Sequence, residues 1–219
     1  MKVVLFGATG MVGQGVLLEC LRDADVTCIV SVVRAASGRS DPKLREIVHG
    51  DFQDFSAISA ELTGFDACFF CLGIASSGMS EEAYSKITHG IAVAAARVLV
   101  KENPAMIFIF VSGAGADPTE KGRVMWARVK GRAENAILGM GFRGAYIFRP
   151  GFIRPLDGIQ SKTKLYRVLY IALSPIVPIL ERLMPRQVTT TRQVGRAMLA
   201  VAKNGYPKSI LTNSDFAHF

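Results

Sequence analysis

The residues best suited to chemistry stand at the start of the chain. Gly7-Ala8-Thr9-Gly10-Met11-Val12-Gly13 follows an apolar run over 3–6 and opens an amphipathic segment, Met11–Arg22. Between a strand and a helix, each glycine of such a triplet has its own task. The first permits a tight turn, the second lets the backbone approach a pyrophosphate, and the third lets helix and strand pack closely. The helix start adds unpaired N–H groups that face the anion. A dinucleotide is therefore expected here, with Gly7, Thr9, Gly10, Met11, Val12 and Gly13 around its pyrophosphate.

The end of the second apolar run addresses the choice of cofactor. A carboxylate there usually holds the ribose 2′-hydroxyl of NAD. Here the run ends Val32-Val33-Arg34, and no carboxylate follows until Asp41. Arg34, with Ser37 or Arg39 as further donors, suits a 2′-phosphate, because guanidinium groups pair well with phosphate oxygens. NADP is the expected cofactor and NAD the lesser alternative. Asp51-Phe52 is placed to meet the adenine. Cys71-Leu72-Gly73 closes the fourth apolar run, where a glycine lets the chain pass beside the cofactor ribose.

These residues need elements to hold them. Strands are predicted over 3–6, 26–33, 47–48, 67–72, 106–112 and 145–148, with a short last one over 209–212. Helices are predicted over 11–22, 56–62, 81–102, 124–138 and 191–203. Strands alternating with helices indicate a parallel sheet covered on both faces. The fold class is thus α/β, a Rossmann-type doubly wound parallel sheet. One domain over 1–219 is expected, in which 152–219 adds a small C-terminal cap.

Composition narrows the function classes. The chain has 219 residues, 50% apolar and 20% charged, which excludes a disordered protein. No run of about 18 apolar residues marks a transmembrane helix, and the first residues do not read as a signal peptide. Residues 1–117 carry 9 Lys/Arg and 13 Asp/Glu; residues 118–219 carry 17 and 5. Such a basic half fits an anionic partner or a solvated surface. Without a zinc finger, an RNA-binding aromatic motif or a block of basic residues, nucleic acid is not expected. Cys68 and Cys71 lie in a strand, where residues three apart point to opposite faces, so they form no redox or zinc pair. His49, His89 and His218 are scattered, and no metal site is expected. Four thiols without a signal peptide suit a reducing cytoplasm.

Together, the glycine triplet, Asp51-Phe52, Cys71-Leu72-Gly73, Val111-Ser112, Lys130 and Arg149-Pro150-Gly151 resemble the atypical short-chain dehydrogenase/reductases. Within them the chain is most similar to the NAD(P)H-binding, epimerase-like proteins related to human Tat-interacting protein. The resemblance covers residues 1 to about 155 well and the rest loosely. It implies that Ser112 is the catalytic serine, that Lys130 is the lysine of a Y-x-x-x-K pair, and that Pro150 and Gly151 line the nicotinamide end. One position departs: Trp126 stands where the catalytic tyrosine belongs. An indole N–H cannot exchange a proton near neutral pH as a phenol can. No tyrosine lies between Tyr84 and Tyr146 to replace it.

Two functions are therefore expected. One is an NADP-dependent oxidoreductase or epimerase-like enzyme for a small carbonyl substrate. The other is a non-catalytic NADPH-binding sensor or regulator. The apolar segment 165–180, flanked by lysines and arginines, is expected to close the pocket, to form a homodimer contact, or to rest weakly on a membrane surface, in that order.

Overall fold

The computed structural model describes residues 1–160 and 188–219. Six of its strands follow the predicted order: β1 (Lys2–Phe6), β2 (Cys28–Val33), β3 (Leu44–Val48), β4 (Ala67–Phe70), β5 (Ile107–Val111) and β6 (Gly144–Arg149). The pair β7 (Phe152–Arg154) and β8 (Val188–Thr190) forms a separate two-stranded sheet, and β9 (Ile210–Thr212) comes last. Among the described residues the main sheet has seven parallel strands in the order β3-β2-β1-β4-β5-β6-β9. This is the Rossmann-like α/β fold that the alternating pattern predicts.

Parallel strands buried on both faces need apolar side chains on both faces. Alternation along β1 supplies them: Val3 and Leu5 join one core, Val4 and Phe6 the other. Helix α1 (Met11–Arg22) covers the first core with Val16, Leu17 and Cys20. The long helical segment after β4 and helix α4 (Met125–Leu138) cover the second.

The helix predicted over 81–102 is not uniform. It runs as α2 (Glu81–Ser85), one wider π turn over Lys86–Gly90, and α3 (Ile91–Glu102). The Lys86 carbonyl accepts 3.1 Å from the Gln53 side-chain amide, so a residue on another element satisfies a group at the widened turn. Strand β3 begins three residues earlier than predicted. Leu44 already pairs with Ile29, but Arg45 and Glu46 hide the strand from a search for apolar runs.

Of residues 152–219, the described ones join the main body. Strand β9 extends the sheet beside β6. Helix α5 (Thr191–Asn204) starts with a Thr190–Gln193 capping box and buries Val194, Ala197, Met198 and Val201 in the first core. It presses on α1: a Cβ built on Gly15 would sit 2.6 Å from Thr191 Cβ. The terminal helix α6 (Asn213–Phe216) stacks Phe216 on Phe148, ring centroids 4.9 Å apart. The segment 165–180 lies outside the described residues.

Candidate functional site

The strand order reverses between β1 and β4, on either side of which the chain winds in opposite directions. Crevices at such a switch point lie beyond the carboxyl ends of the strands. There β1 runs into Gly7 and β4 into Cys71-Leu72-Gly73. Gly7 has φ +80°, which L side chains rarely adopt, and a Cβ on it would stand 2.6 Å from the Leu72 nitrogen. The Cys71 amide donates to the Phe6 carbonyl at 2.9 Å. The two strand ends are thus in backbone contact, and only glycine fits between them.

The rest of the turn divides its tasks. A Cβ on Gly13 would lie 2.0 Å from the Gly7 carbonyl oxygen, so this glycine lets α1 close on the turn. Gly10 is different. Its φ of −82° and ψ of 166° suit any residue, and among the described residues a Cβ there would meet only the Gly7 oxygen at 3.3 Å. Gly10 therefore leaves open space that the described residues do not fill. No side chain caps α1 at Gly10, and the first amides of a helix have no partner within it. Open space beside uncapped amides fits a pyrophosphate. Thr9 faces this turn with its carbonyl accepting from Gln14 Nε2 at 3.2 Å.

Beyond β2, Arg34 is exposed. Ser37 is committed elsewhere: its amide and hydroxyl both donate to Glu46, at 2.8 and 2.6 Å. Asp51 is exposed and accepts from the Gln53 amide at 2.8 Å. Phe52 corrects the sequence reading in part. Its ring is buried edge-on to Phe55, 5.5 Å between centroids, so it belongs to the core and offers no open face to an adenine.

Strand β4 and strand β5 carry the opposite end of the crevice. Lys130, on α4, donates from Nζ to the Val111 carbonyl at 3.2 Å and stands 5.2 Å from the Phe110 ring centroid. A Cβ on Gly73 would be 4.0 Å from the same Nζ, so Lys130 reaches between the two strand ends. Burial pulls its pKa down to about 8, against an upward pull from Glu134. Ser112, the next residue after Val111, is buried, and its hydroxyl has no hydrogen-bond partner among the described residues. A buried hydroxyl left unpaired at a strand end is a group waiting for a ligand or water. Trp126 lies one helical turn before Lys130. Its ring covers the loop after β5, with Cη2 3.4 Å from a Cβ position on Gly115. Pro150 is buried, and its carbonyl accepts from the Ala114 amide at 2.9 Å. The Gly151 amide donates to Asn213 Oδ1 at 3.0 Å. These two bonds tie the ends of β5, β6 and β9 together beside Ser112.

Two features escaped the sequence reading. Glu134, 1% exposed, is held by Arg149 through an ion pair and two further contacts at 3.1 and 3.2 Å. The spacing of Lys130 and Glu134, four residues apart on one helix face, was the available signal. Glu46 gave no such signal, because it meets the β2 loop through strand adjacency. Cys68 and Cys71 point to opposite cores, as read, and both are free thiols. Burial pushes the Cys20, Cys68 and Cys71 thiols well above the usual range, away from reactive thiolates.

With this geometry in view, a family model described as NAD(P)H-binding matches residues 7–141. The chain belongs to this NAD(P)H-binding family. Protein fmp52, mitochondrial, of Emericella nidulans is 31% identical over 159 residues, 69% of this chain and 66% of that protein. Protein FMP52, mitochondrial, of Candida albicans is 28% identical over 156 residues, with the same coverage. The chain thus spans just under two thirds of those relatives. The solved UDP-N-acetylglucosamine 4-epimerase from Methanobrevibacter ruminantium M1 has a TM-score of 0.71 at 15% identity, covering 96% of this chain and 75% of that one. A short-chain dehydrogenase/reductase superfamily protein from Agrobacterium tumefaciens with bound NAD has 0.68 at 15%, covering 97% and 77%. These likenesses show the fold of the atypical short-chain dehydrogenase/reductase and epimerase group.

The relatives also overturn the cytoplasmic placement, since their names put them in mitochondria. Free thiols indicate a reducing compartment without saying which one, so the cysteine argument had no power to choose.

Proposed function

We propose that this NAD(P)H-binding protein is an NADP(H)-dependent oxidoreductase, epimerase-like in build, that acts on a small carbonyl compound. The observation that supports this reading is Lys130, a half-buried ammonium that donates to the carbonyl of Val111, the residue before Ser112, whose buried hydroxyl has no partner among the described residues. When bound, the nicotinamide supplies a hydride to the carbonyl carbon. The chain supplies the proton. Ser112 hydrogen-bonds the carbonyl oxygen and gives it the proton as the alcohol forms, and the Lys130 ammonium restores that proton to Ser112. A pKa of about 8 keeps Lys130 protonated at neutral pH and ready to release. Arg34 pairs with the 2′-phosphate at the far end, and Gly10 admits the pyrophosphate. Asp51, Leu72, Gly73, Pro150 and Gly151 bound the space between them.

A specific observation favours a second reading. Trp126 occupies the tyrosine position and packs on the loop after β5, which suits a non-catalytic protein that binds NADPH as a signal. NADPH oxidation against small aldehydes and quinones separates the two. The first reading expects wild-type turnover on the order of 1–10 s⁻¹ on some member of the panel. Tight NADPH binding without turnover, combined with turnover gained in Trp126→Tyr, would favour the second.

A further inference from the structure

Glu46 lies on β3, opposite Ser31 of β2 in the strand register, and its side chain reaches up to the loop that follows β2. One carboxylate oxygen accepts from the Ser37 amide at 2.8 Å and the other from the Ser37 hydroxyl at 2.6 Å. The Ser37 hydroxyl in turn accepts from the Arg39 amide at 3.2 Å. The loop is therefore closed on a negative charge, and two donors close to Arg34 in sequence are consumed by it. The neighbouring cation on β3, Arg45, does not neutralise this charge, because it is paired with Glu61 at 2.8 Å.

The end of β2 is where the ribose 2′ position arrives in this fold. A 2′-phosphate brings up to two charges and wants donors and cations around it. The loop offers Arg34, which is exposed, while Glu46 removes Ser37 from service and adds a like charge nearby. We propose that Glu46 is a specificity-determining residue of the cofactor site, one that restrains the NADPH preference supplied by Arg34 and so leaves NADH usable. The proposal rests on the NADP reading given above.

Calorimetric titration of NADPH and NADH into wild type, Glu46→Gln, Ser37→Ala and Arg34→Ala tests it. Glu46→Gln keeps an acceptor for Ser37 but loses the charge. It should raise the NADPH-to-NADH affinity ratio by about tenfold, through NADPH alone, and the gain should shrink as salt is added. Ser37→Ala, which leaves the charge in place, should move the ratio less than Glu46→Gln does. A ratio that stays level or falls in Glu46→Gln overturns the proposal, and so does a gain shared equally by NADH. Arg34→Ala reports separately on the underlying reading: if it leaves the ratio unchanged, the NADP assignment fails, whatever Glu46→Gln does.

Discussion

Lys130 shows how burial turns an ordinary side chain into a working group. Its ammonium loses its proton near pH 8 in the folded chain and near 10.5 when unfolded. Between those values the unfolded chain holds more protons, so this group's contribution to stability rises with pH and is most unfavourable below 8. Urea melts of wild type and Lys130→Met should therefore diverge: wild type gains stability relative to the variant from pH 8 to about 10.5, then levels off. Parallel curves would mean that Lys130 is solvated. If Lys130 also delivers the proton, turnover of a carbonyl substrate should fall as pH rises through about 8, and Lys130→Met should lose about 10²–10⁴-fold. Trp126→Tyr places a phenol four residues before Lys130 on the same helix face. It should increase carbonyl reduction while cofactor affinity stays within a few-fold, and an unchanged rate would show that the indole position is remote from the reacting atoms. The candidate groups Ser112 and Lys130 were legible through a resemblance, not through spacing. Lys130 meets the end of β5 from a helix that packs on β6 and on the helical segment after β4, an arrangement no local pattern announces. Glu46 was invisible because the register of a polar edge strand decides which loop it meets.

At the scale of elements, the glycine turn was readable because local rules alone determine it: a strand, a turn that needs positive φ, and a helix start. The structure adds a division of labour that the sequence pattern hides. Gly13 serves packing, since its Cβ would run into the Gly7 carbonyl oxygen at 2.0 Å. Gly13→Ala must push helix and turn apart, and overpacking of this kind costs about 1–3 kcal/mol or more. A melting temperature lower by at least about 3 °C is expected in a chain of this size. An unchanged melting temperature would show that the turn is slack. The π turn in the 81–102 helix was not readable. Helical periodicity marks Glu81–Glu102 as one piece, and it gives no sign that Gln53, more than thirty residues earlier, donates to the Lys86 carbonyl at the widened turn.

For the molecule as a whole, the uneven charge of the sequence becomes a seam. Carboxylates of the first half meet cations of the second: Asp23 and Asp25 hold Lys203, Glu19 holds Arg196, and Glu81 holds Arg128. The basic second half is therefore partly matched within the chain, which composition alone left open. The same closure explains why the last residues matter. Phe216, three residues before Phe219, is fully buried against Phe148. Phe216→Ala should cost about 3–5 kcal/mol, the usual range for emptying an aromatic site in a core. A loss under about 1 kcal/mol in urea melts would show that the terminal helix is only loosely attached.

The cofactor and turnover effects depend on the Gly7–Gly13 turn being a dinucleotide cradle, and Gly10 offers the cleanest access to that question. Its backbone conformation tolerates any residue, and the described residues leave the adjoining space open. A side chain there should leave the fold intact yet occupy the volume a pyrophosphate needs. The decisive measurement is calorimetric titration of NADPH into wild type and Gly10→Val, with circular dichroism on both. The account predicts saturable binding to wild type, none to Gly10→Val, and matching spectra. Normal NADPH binding by a folded Gly10→Val would contradict it.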